Sequence, residues 1–231
     1  MKNLHDYLIL LLILFLASGC ALSLTPALDY RSGAVVETLA TSVSLSLHTT
    51  DLSMSGNGYM VYRRPDQLHL VLLSPFGTTM MEAFVNGERI TLLYPSQMTA
   101  YSGRFDELPE KGGLQGWSMM RWVMDADPAE NRLFSGTLER IGKLGFSEKV
   151  TFENGLITAK TSLKGDQVYY GKYSVVNGVP LAAEVEMRNS REDRIRLTLD
   201  EPEVNTPLDD AAFTPRLDGL TQLPLAVLRQ Q

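Results

Sequence analysis

Apolar and polar residues alternate with a period of two along much of the C-terminal half of the chain. In residues 194–200 every second residue is Ile or Leu and the others are charged or polar, and residues 183–188 show the same alternation. A period of two places successive side chains on opposite faces of a β-strand, one apolar and one in water. The pattern therefore predicts an antiparallel sheet whose outer face is strongly charged in this half.

Short turn sequences separate these runs of Val, Thr, Tyr, Leu and Ile. The dipeptide Asn-Gly accepts the positive φ angles of a tight hairpin, so each copy predicts two antiparallel neighbours. We interpret the other glycine-rich sequences as turns too. The predicted turns are Asn86-Gly87, Asn154-Gly155, Asn177-Gly178, Lys164-Gly165-Asp166 and Gly56-Asn57-Gly58.

The N-terminal half is apolar on both faces of its predicted strands, in residues 68–73 and 79–85. Such strands need cover on both sides, from helices or from an apolar ligand. Residues 114–124 carry apolar side chains at helical spacing and precede a stop at 125–128, and residues 29–41 are a second helix candidate. The patterns predict a mainly β (α+β) fold, a single curved antiparallel sheet with helices as a plug.

The N-terminus carries the most specific signal for location. Residues 8–16 are uninterrupted Leu, Ile and Phe, and small residues lead from there to Cys20, the one cysteine in the chain. The run is too short to span a membrane and is typical of a signal peptide. The cysteine after it resembles the lipobox of bacterial lipoproteins, although Ala17 stands where Leu is usual. The alternative is an ordinary secretory signal followed by a free buried cysteine.

The expected organisation follows from this signal. Residues 1–19 are a lipoprotein signal peptide, 20–28 an acylated tether, 29–215 one lipid-binding domain, and 216–231 a C-terminal tail. Acylated Cys20 would tether the protein to a membrane, and Ala21 after it favours the outer membrane facing the periplasm. The net charge of −6 argues against nucleic acid as a partner.

The chain lacks the motifs of common enzyme classes. His48 and His69 lie in predicted strands without a cysteine partner, which excludes the usual zinc patterns. Residues 116–120 do not complete a nucleophile elbow, and no phosphate-binding loop is present. We predict no catalytic residue, metal or cofactor. An esterase-like enzyme acting on lipids is a distant alternative, which a Ser or Asp bonded to either histidine at the cavity mouth would support.

Several segments resemble the LolB family of outer-membrane lipoprotein receptors, in the family's order. The strand-loop-strand with Ser74-Pro75-Phe76-Gly77-Thr78-Thr79 is similar to the family's, although its loop typically carries Leu at the position of Phe76. The resemblance covers most of residues 30–205 and extends more distantly to LolA, the soluble periplasmic carrier. Its other segments are residues 119–124, 168–173, 178–182 and 194–199.

The resemblance implies an unclosed β-barrel with helices inside the opening and acyl chains held in an apolar cavity. It implies a membrane-insertion loop at Pro75, Phe76 and Gly77, although Phe76 could instead pack back onto the sheet. The candidate cavity residues are Leu70, Leu72, Met80, Trp117, Met120 and Met124. The methionines could equally be ordinary core, and Trp117 could instead anchor its helix.

The resemblance also implies the protein's partners. They are a LolA-like periplasmic carrier, acylated lipoproteins as cargo and outer-membrane lipids, with the protein itself a monomer. Such a receptor would accept lipoproteins from the carrier and insert them into the outer membrane. The alternative is a lipid-binding envelope sensor or assembly lipoprotein of the same fold without transfer activity.

Overall fold

A computed structural model describes residues 28–49, 53–108, 115–189 and 193–230, with the side chains of 115–118 and 230 set aside. The predicted signal peptide and lipid-attachment residue Cys20 lie outside the described residues. No helix in this described part is long and apolar enough to cross a membrane.

Strands of one sheet make up most of the described chain, as the alternating pattern predicts. The sheet order is β13-β6-β5-β4-β3-β2-β1-β12-β11-β10-β9-β8-β7, and each neighbouring pair is antiparallel except β13 and β6. The end strands β13 and β7 do not pair with each other, so the barrel is unclosed and the predicted fold class is confirmed. The strands are β1 (Thr38–His48), β2 (Ser53–Arg63), β3 (Gln67–Leu73), β4 (Thr79–Asn86), β5 (Arg89–Tyr94), β6 (Thr99–Arg104), β7 (Gly136–Ile141), β8 (Ser147–Glu153), β9 (Leu156–Ser162), β10 (Gln167–Val176), β11 (Val179–Arg188), β12 (Arg194–Val204) and β13 (Thr221–Pro224).

One α-helix, α1 (Gln115–Met124), occurs among the described residues and matches the better helix candidate. Met120, Trp122 and Val123 are buried and pack into the same core as the inward-facing residues of the sheet. The helix therefore covers the inner face of the curved sheet. Single-turn 3-10 helices occur at Pro95–Gln97, Phe105–Glu107 and Asp210–Phe213, and a longer one at Leu225–Gln230.

The second helix candidate, residues 29–41, is wrong. Residues 30–37 form turns and irregular chain, and β1 begins at Thr38. Leu39 and Thr41 are buried while Ala40 between them is half-buried, which is the period of a strand. Pairing of β1 on both sides, with β2 and with β12, outweighs the local helical spacing.

The Asn-Gly pairs lie at the predicted hairpins β4–β5, β8–β9 and β10–β11, and Lys164-Gly165-Asp166 connects β9 and β10. The predicted turn at Gly56-Asn57-Gly58 is wrong, because all three residues lie inside β2. A Cβ atom on Gly58 would lie 1.8 Å from the Val71 carbonyl oxygen of β3. Glycine is needed at residue 58 for this close approach of two strands and does not mark a turn.

The C-terminal segment 216–231, expected as a tail, contributes to the sheet. Thr221–Pro224 form β13, which pairs with β6 in parallel. Leu225, directly after it, is fully buried in the main core. Burial of the Leu225 side chain stabilises the packing of this segment against the sheet, so the folded unit continues beyond residue 215.

The alternating strand directions divide the connections between two ends of the barrel. Loop 74–78 lies at the same end as the connections at 95–98, 142–146 and 163–166, and we call this end the Phe76 rim. The connections at 64–66, 87–88, 154–155 and 177–178 form the opposite rim. These two rims set the geometry of the candidate site.

Candidate functional site

An apolar cavity of about 470 Å³ lies between the sheet and α1. Many of its lining residues sit where strands reach the Phe76 rim, such as Leu47 at the end of β1 and Met80 at the start of β4. Among the lining residues are Leu45, Leu47, Met54, Leu70, Leu72, Leu73, Met80, Met81, Tyr94, Met120, Met187 and Ile195. Side chains of this kind can enclose an apolar ligand and offer it almost no hydrogen bonds.

Four of the six sequence-predicted cavity residues line this space: Leu70, Leu72, Met80 and Met120. Met124 does not, because it borders a separate cavity of about 50 Å³ with Tyr170 and Val185. Met124 lies one turn beyond Met120, about 6 Å further along the helix axis, and so faces another part of the sheet. The side chain of Trp117 lies outside the described residues.

Sequence reasoning missed the contribution of β1, β11 and β12 to the cavity. Leu45 and Leu47 alternate with serines in β1, and Met187 and Ile195 alternate with charged residues. That alternation identifies the inward face of each strand but not the strands that meet around one cavity. Their meeting depends on the β1–β12 pairing, which joins residues far apart in the chain.

Loop 74–78 holds Phe76 in solvent, with 93% of its surface exposed. The Ser74 hydroxyl accepts hydrogen bonds from the backbone N–H groups of Phe76 and Thr78, each at 3.2 Å, and lies 2.7 Å from the Thr78 hydroxyl. Gly77 adopts a left-handed φ of 78°, which glycine accepts without steric cost. These bonds tie the loop to itself, so Phe76 does not pack back onto the sheet.

A buried charge cluster lies at the C-terminal end of α1. The Lys160 amine is fully buried and donates to the carbonyls of Trp122 at 2.8 Å and Asp125 at 2.9 Å. It also lies 3.3 Å from a Glu148 carboxylate oxygen, and Arg140 binds the other oxygen at 2.7 Å. Burial lowers the pKa of Lys160 to about 8, although the carboxylates of Asp125 and Glu148 oppose the shift.

The segment after α1 is held by a second group of charges. Asp127 bonds the Arg64 guanidinium through both carboxylate oxygens, at 2.5 and 3.0 Å, and the Lys143 amine at 2.6 Å. Burial alone would raise the pKa of Asp127, but these hydrogen bonds outweigh it and lower the pKa to about 2. The first group holds the C-terminal end of α1 and the second holds the segment after it, and neither group borders the 470 Å³ cavity.

His69 does not belong to an esterase-like site. His69 Nε2 lies 3.0 Å from a Glu82 carboxylate oxygen, and its ring stacks on Phe84 at 3.9 Å between centroids. In β3 it alternates with Leu68 and Leu70, which are buried, so it faces away from the cavity. The Ser or Asp partner at the cavity mouth, which would support an enzyme, is not found at His69.

Fold and site together define a class of protein: an unclosed β-barrel of the LolA/LolB type, with a helix over an apolar cavity. A family model described as outer membrane lipoprotein LolB matches residues 37–201. The chain therefore belongs to the LolB family, whose members are lipoprotein-binding outer-membrane lipoproteins and are not enzymes. The resemblance in the sequence is thereby confirmed.

Solved structures share the fold at low sequence identity. A DUF1329 family protein from Desulfovibrio piger has a TM-score of 0.59 and 11% identity, over 78% of this chain and 90% of that chain. A putative outer membrane lipoprotein-sorting protein domain from Vibrio parahaemolyticus gives 0.56 and 12%, over 76% and 88%. A LolA superfamily protein from Nitrosomonas europaea gives 0.55 and 11%, over 80% and 93%. A search of curated proteins gives no match.

Proposed function

We propose that this protein accepts lipoproteins from a LolA-like periplasmic carrier and inserts them into the outer membrane. The observation that carries the proposal is the placement of the apolar cavity and the exposed Phe76 toward the same rim. The cavity would hold the acyl chains of the cargo, and Phe76 would bring its mouth to the lipid surface. Family membership supports lipoprotein binding, and the transfer step is the part that we add.

Movement of acyl chains between carrier, receptor and membrane needs little net free energy. The chains are shielded from water in an apolar cavity and in the bilayer alike, so the hydrophobic effect does not oppose the step. Water must be kept away from the acyl chains while they pass from the cavity to the bilayer. A cavity that opens toward the bilayer would keep that passage short, and a loop that inserts an apolar side chain would place it there.

Cys20 is the proposed attachment site of the protein's own lipid. Two or more acyl chains anchor a protein stably, whereas one does so only marginally. We expect mass spectrometry of the mature N-terminus to find acyl groups on Cys20. An unmodified Cys20 thiol in protein purified from membranes would refute the proposed anchor.

Phe76→Glu tests the insertion step. Burial of a Phe side chain is worth roughly 1.5–3 kcal/mol, and a carboxylate adds a desolvation cost, so the variant should disfavour membrane contact. Because Phe76 is almost fully exposed, the variant should fold like the wild type. We expect it to take labelled lipoprotein from the carrier and fail to deliver it to vesicles.

Phe76→Leu is the matched control, since it keeps an apolar side chain at the loop tip and should retain delivery. Delivery by Phe76→Glu at the wild-type rate would refute the insertase role. It would favour a lipid-binding sensor of the same fold, which has no need to enter the bilayer.

A further inference from the structure

Exposed apolar side chains gather on the Phe76 rim well away from loop 74–78. Ile141 at the end of β7 is 76% exposed, and Leu163 in the β9–β10 turn is 81% exposed. On the opposite rim, Leu133 is the one comparably exposed large apolar residue within the described ranges. Because exposed apolar side chains are more numerous on the Phe76 rim, this rim is the one expected to contact a partner.

Strand register brings Ile141 and Leu163 to the same part of the rim. Ile141 pairs with Ser147 in β8, and Ser162, the residue before Leu163, pairs with Glu148 in the same strand. Ile141 and Leu163 therefore lie on either side of Ser147 and Glu148, the first two residues of β8. Phe146, in the β7–β8 connection and 37% exposed, adds an aromatic ring at this corner. We call Ile141, Phe146 and Leu163 the β8 corner.

The β8 corner and Phe76 are well separated around the rim. Four strands lie between β3, which leads into loop 74–78, and β10, which follows Leu163. Five inter-strand spacings amount to roughly 24 Å measured along the sheet. One contact would leave the barrel free to tilt on a surface, whereas two contacts this far apart fix the direction in which the rim faces.

We propose that the β8 corner is a second contact with the phospholipid bilayer, so that the barrel docks with its Phe76 rim on the membrane. The inference deepens the proposed function and rests on the membrane role of Phe76. The partner is a bilayer because the β8 corner and Phe76 are two separate apolar contacts and do not form one continuous patch. A fluid surface accommodates separate insertions, whereas a protein partner would cover connected area. Exposed Lys164 beside Leu163 also suits anionic headgroups.

Site-specific labelling of the mature protein in vesicles tests the contact. Cys20 is the one cysteine in the chain, so after its acylation a newly introduced cysteine is the single free thiol. Leu163→Cys, Ile141→Cys and Phe76→Cys would each carry an environment-sensitive fluorophore. The vesicles contain phosphatidylethanolamine and phosphatidylglycerol, with and without lipids that carry a quencher on the acyl chain.

Leu133→Cys is the matched control, because it is 78% exposed on the opposite rim. The neighbouring Arg132 bonds the Leu28 carbonyl at 3.0 Å, so residue 133 lies close to the segment that leads to the anchor. We expect blue-shifted and quenched emission at residues 163, 141 and 76, and unquenched emission at residue 133. Quenching at 163 no stronger than at 133 would overturn the proposal.

Two outcomes separate this inference from the proposed function. Quenching at residue 76 alone refutes the second contact and leaves the insertion role of Phe76 standing, whereas no quenching at either site refutes both. The double variant Ile141→Glu/Leu163→Glu should also lower lipoprotein delivery to vesicles about a hundredfold, the factor expected when two buried leucine-sized contacts worth about tenfold each are lost. If it instead weakens cross-linking to the carrier and leaves delivery from loaded receptor unchanged, the β8 corner is a protein-binding surface and the bilayer assignment is wrong.

Discussion

Gly58 and Gly56 lie two residues apart on the inward face of β2, but their surroundings differ. A Cβ atom on Gly58 would meet the Val71 carbonyl oxygen at 1.8 Å, whereas one on Gly56 would meet the Leu73 carbonyl oxygen at 3.5 Å. The first distance requires the backbone to move and the second is an ordinary contact. We therefore expect substitution of Gly58 to destabilise the sheet more than the same substitution of Gly56.

Gly58→Ala should accordingly destabilise the protein by about 2 kcal/mol or more, because β2 and β3 must move apart to admit the methyl group. Gly56→Ala is the control, with the same change in backbone entropy and no steric conflict. Urea denaturation of the two variants measures the difference. Equal midpoints would show that the close approach at residue 58 contributes nothing to stability.

At the scale of elements, Lys160 joins α1 to the sheet. A cation at a helix C-terminus interacts favourably with the helix dipole, and here it also reaches two main-chain carbonyls directly. Glu148 and Asp125 supply the compensating charge within the core. The helix over the cavity is thus held at one end by a buried lysine of β9.

Lys160→Met should lower the free energy of unfolding by about 3–5 kcal/mol, since the change leaves buried carboxylates short of a partner. Hydrogen exchange should quicken in α1 more than in β3. Lys149→Met is the control, because Lys149 is exposed and its ion pair with Glu139 should be worth no more than about 1 kcal/mol. Similar losses in the two variants would contradict the role assigned to Lys160.

Elements determined by neighbouring residues could be predicted from the sequence, and elements determined by distant pairing could not. Asn86-Gly87 and its counterparts form hairpins through their own backbone angles, so the local sequence suffices. Residues 29–41 have helical spacing, but pairing with β12 makes the segment from Thr38 onward a strand. Lys160 resembles a residue of a wet strand face until the sheet brings it to the end of α1, 35 to 38 residues away in sequence.

Some residues of the candidate site could likewise be predicted from the local sequence, and others could not. Leu70, Leu72 and Met80 could be found because their strands are apolar on both faces, and Met120 because it lies on the apolar face of the predicted helix. The exposure of Phe76 was open to either interpretation from the sequence, since its outward position depends on hydrogen bonds across loop 74–78. The β8 corner leaves no local signal, because only the register of β7, β8 and β9 places Ile141 and Leu163 at the same part of the rim.

At the scale of the whole molecule, the sheet and α1 together enclose the cavity that the proposed function requires. The purified protein should therefore bind a hydrophobic fluorophore at a saturable site, with displacement by fatty acids. Leu45→Trp fills part of the cavity and should weaken fluorophore binding about tenfold. Leu138→Trp makes the same change outside the lining and should bind normally. Binding that does not saturate, or that fatty acids leave unchanged, would count against an acyl-chain cavity.

The described chain begins at the rim opposite Phe76, where the Arg31 N–H bonds the Gly178 carbonyl at 2.9 Å. From Cys20 to Leu28 the eight residue steps can bridge at most about 29 Å. The strand from Thr38 to His48 covers roughly 25 Å along the barrel axis at a tilt of about 40°. The two lengths almost match. If Cys20 is acylated as proposed, a barrel that stands on its Phe76 rim would need its tether almost fully extended, and it would release cargo within a few nanometres of its own anchor.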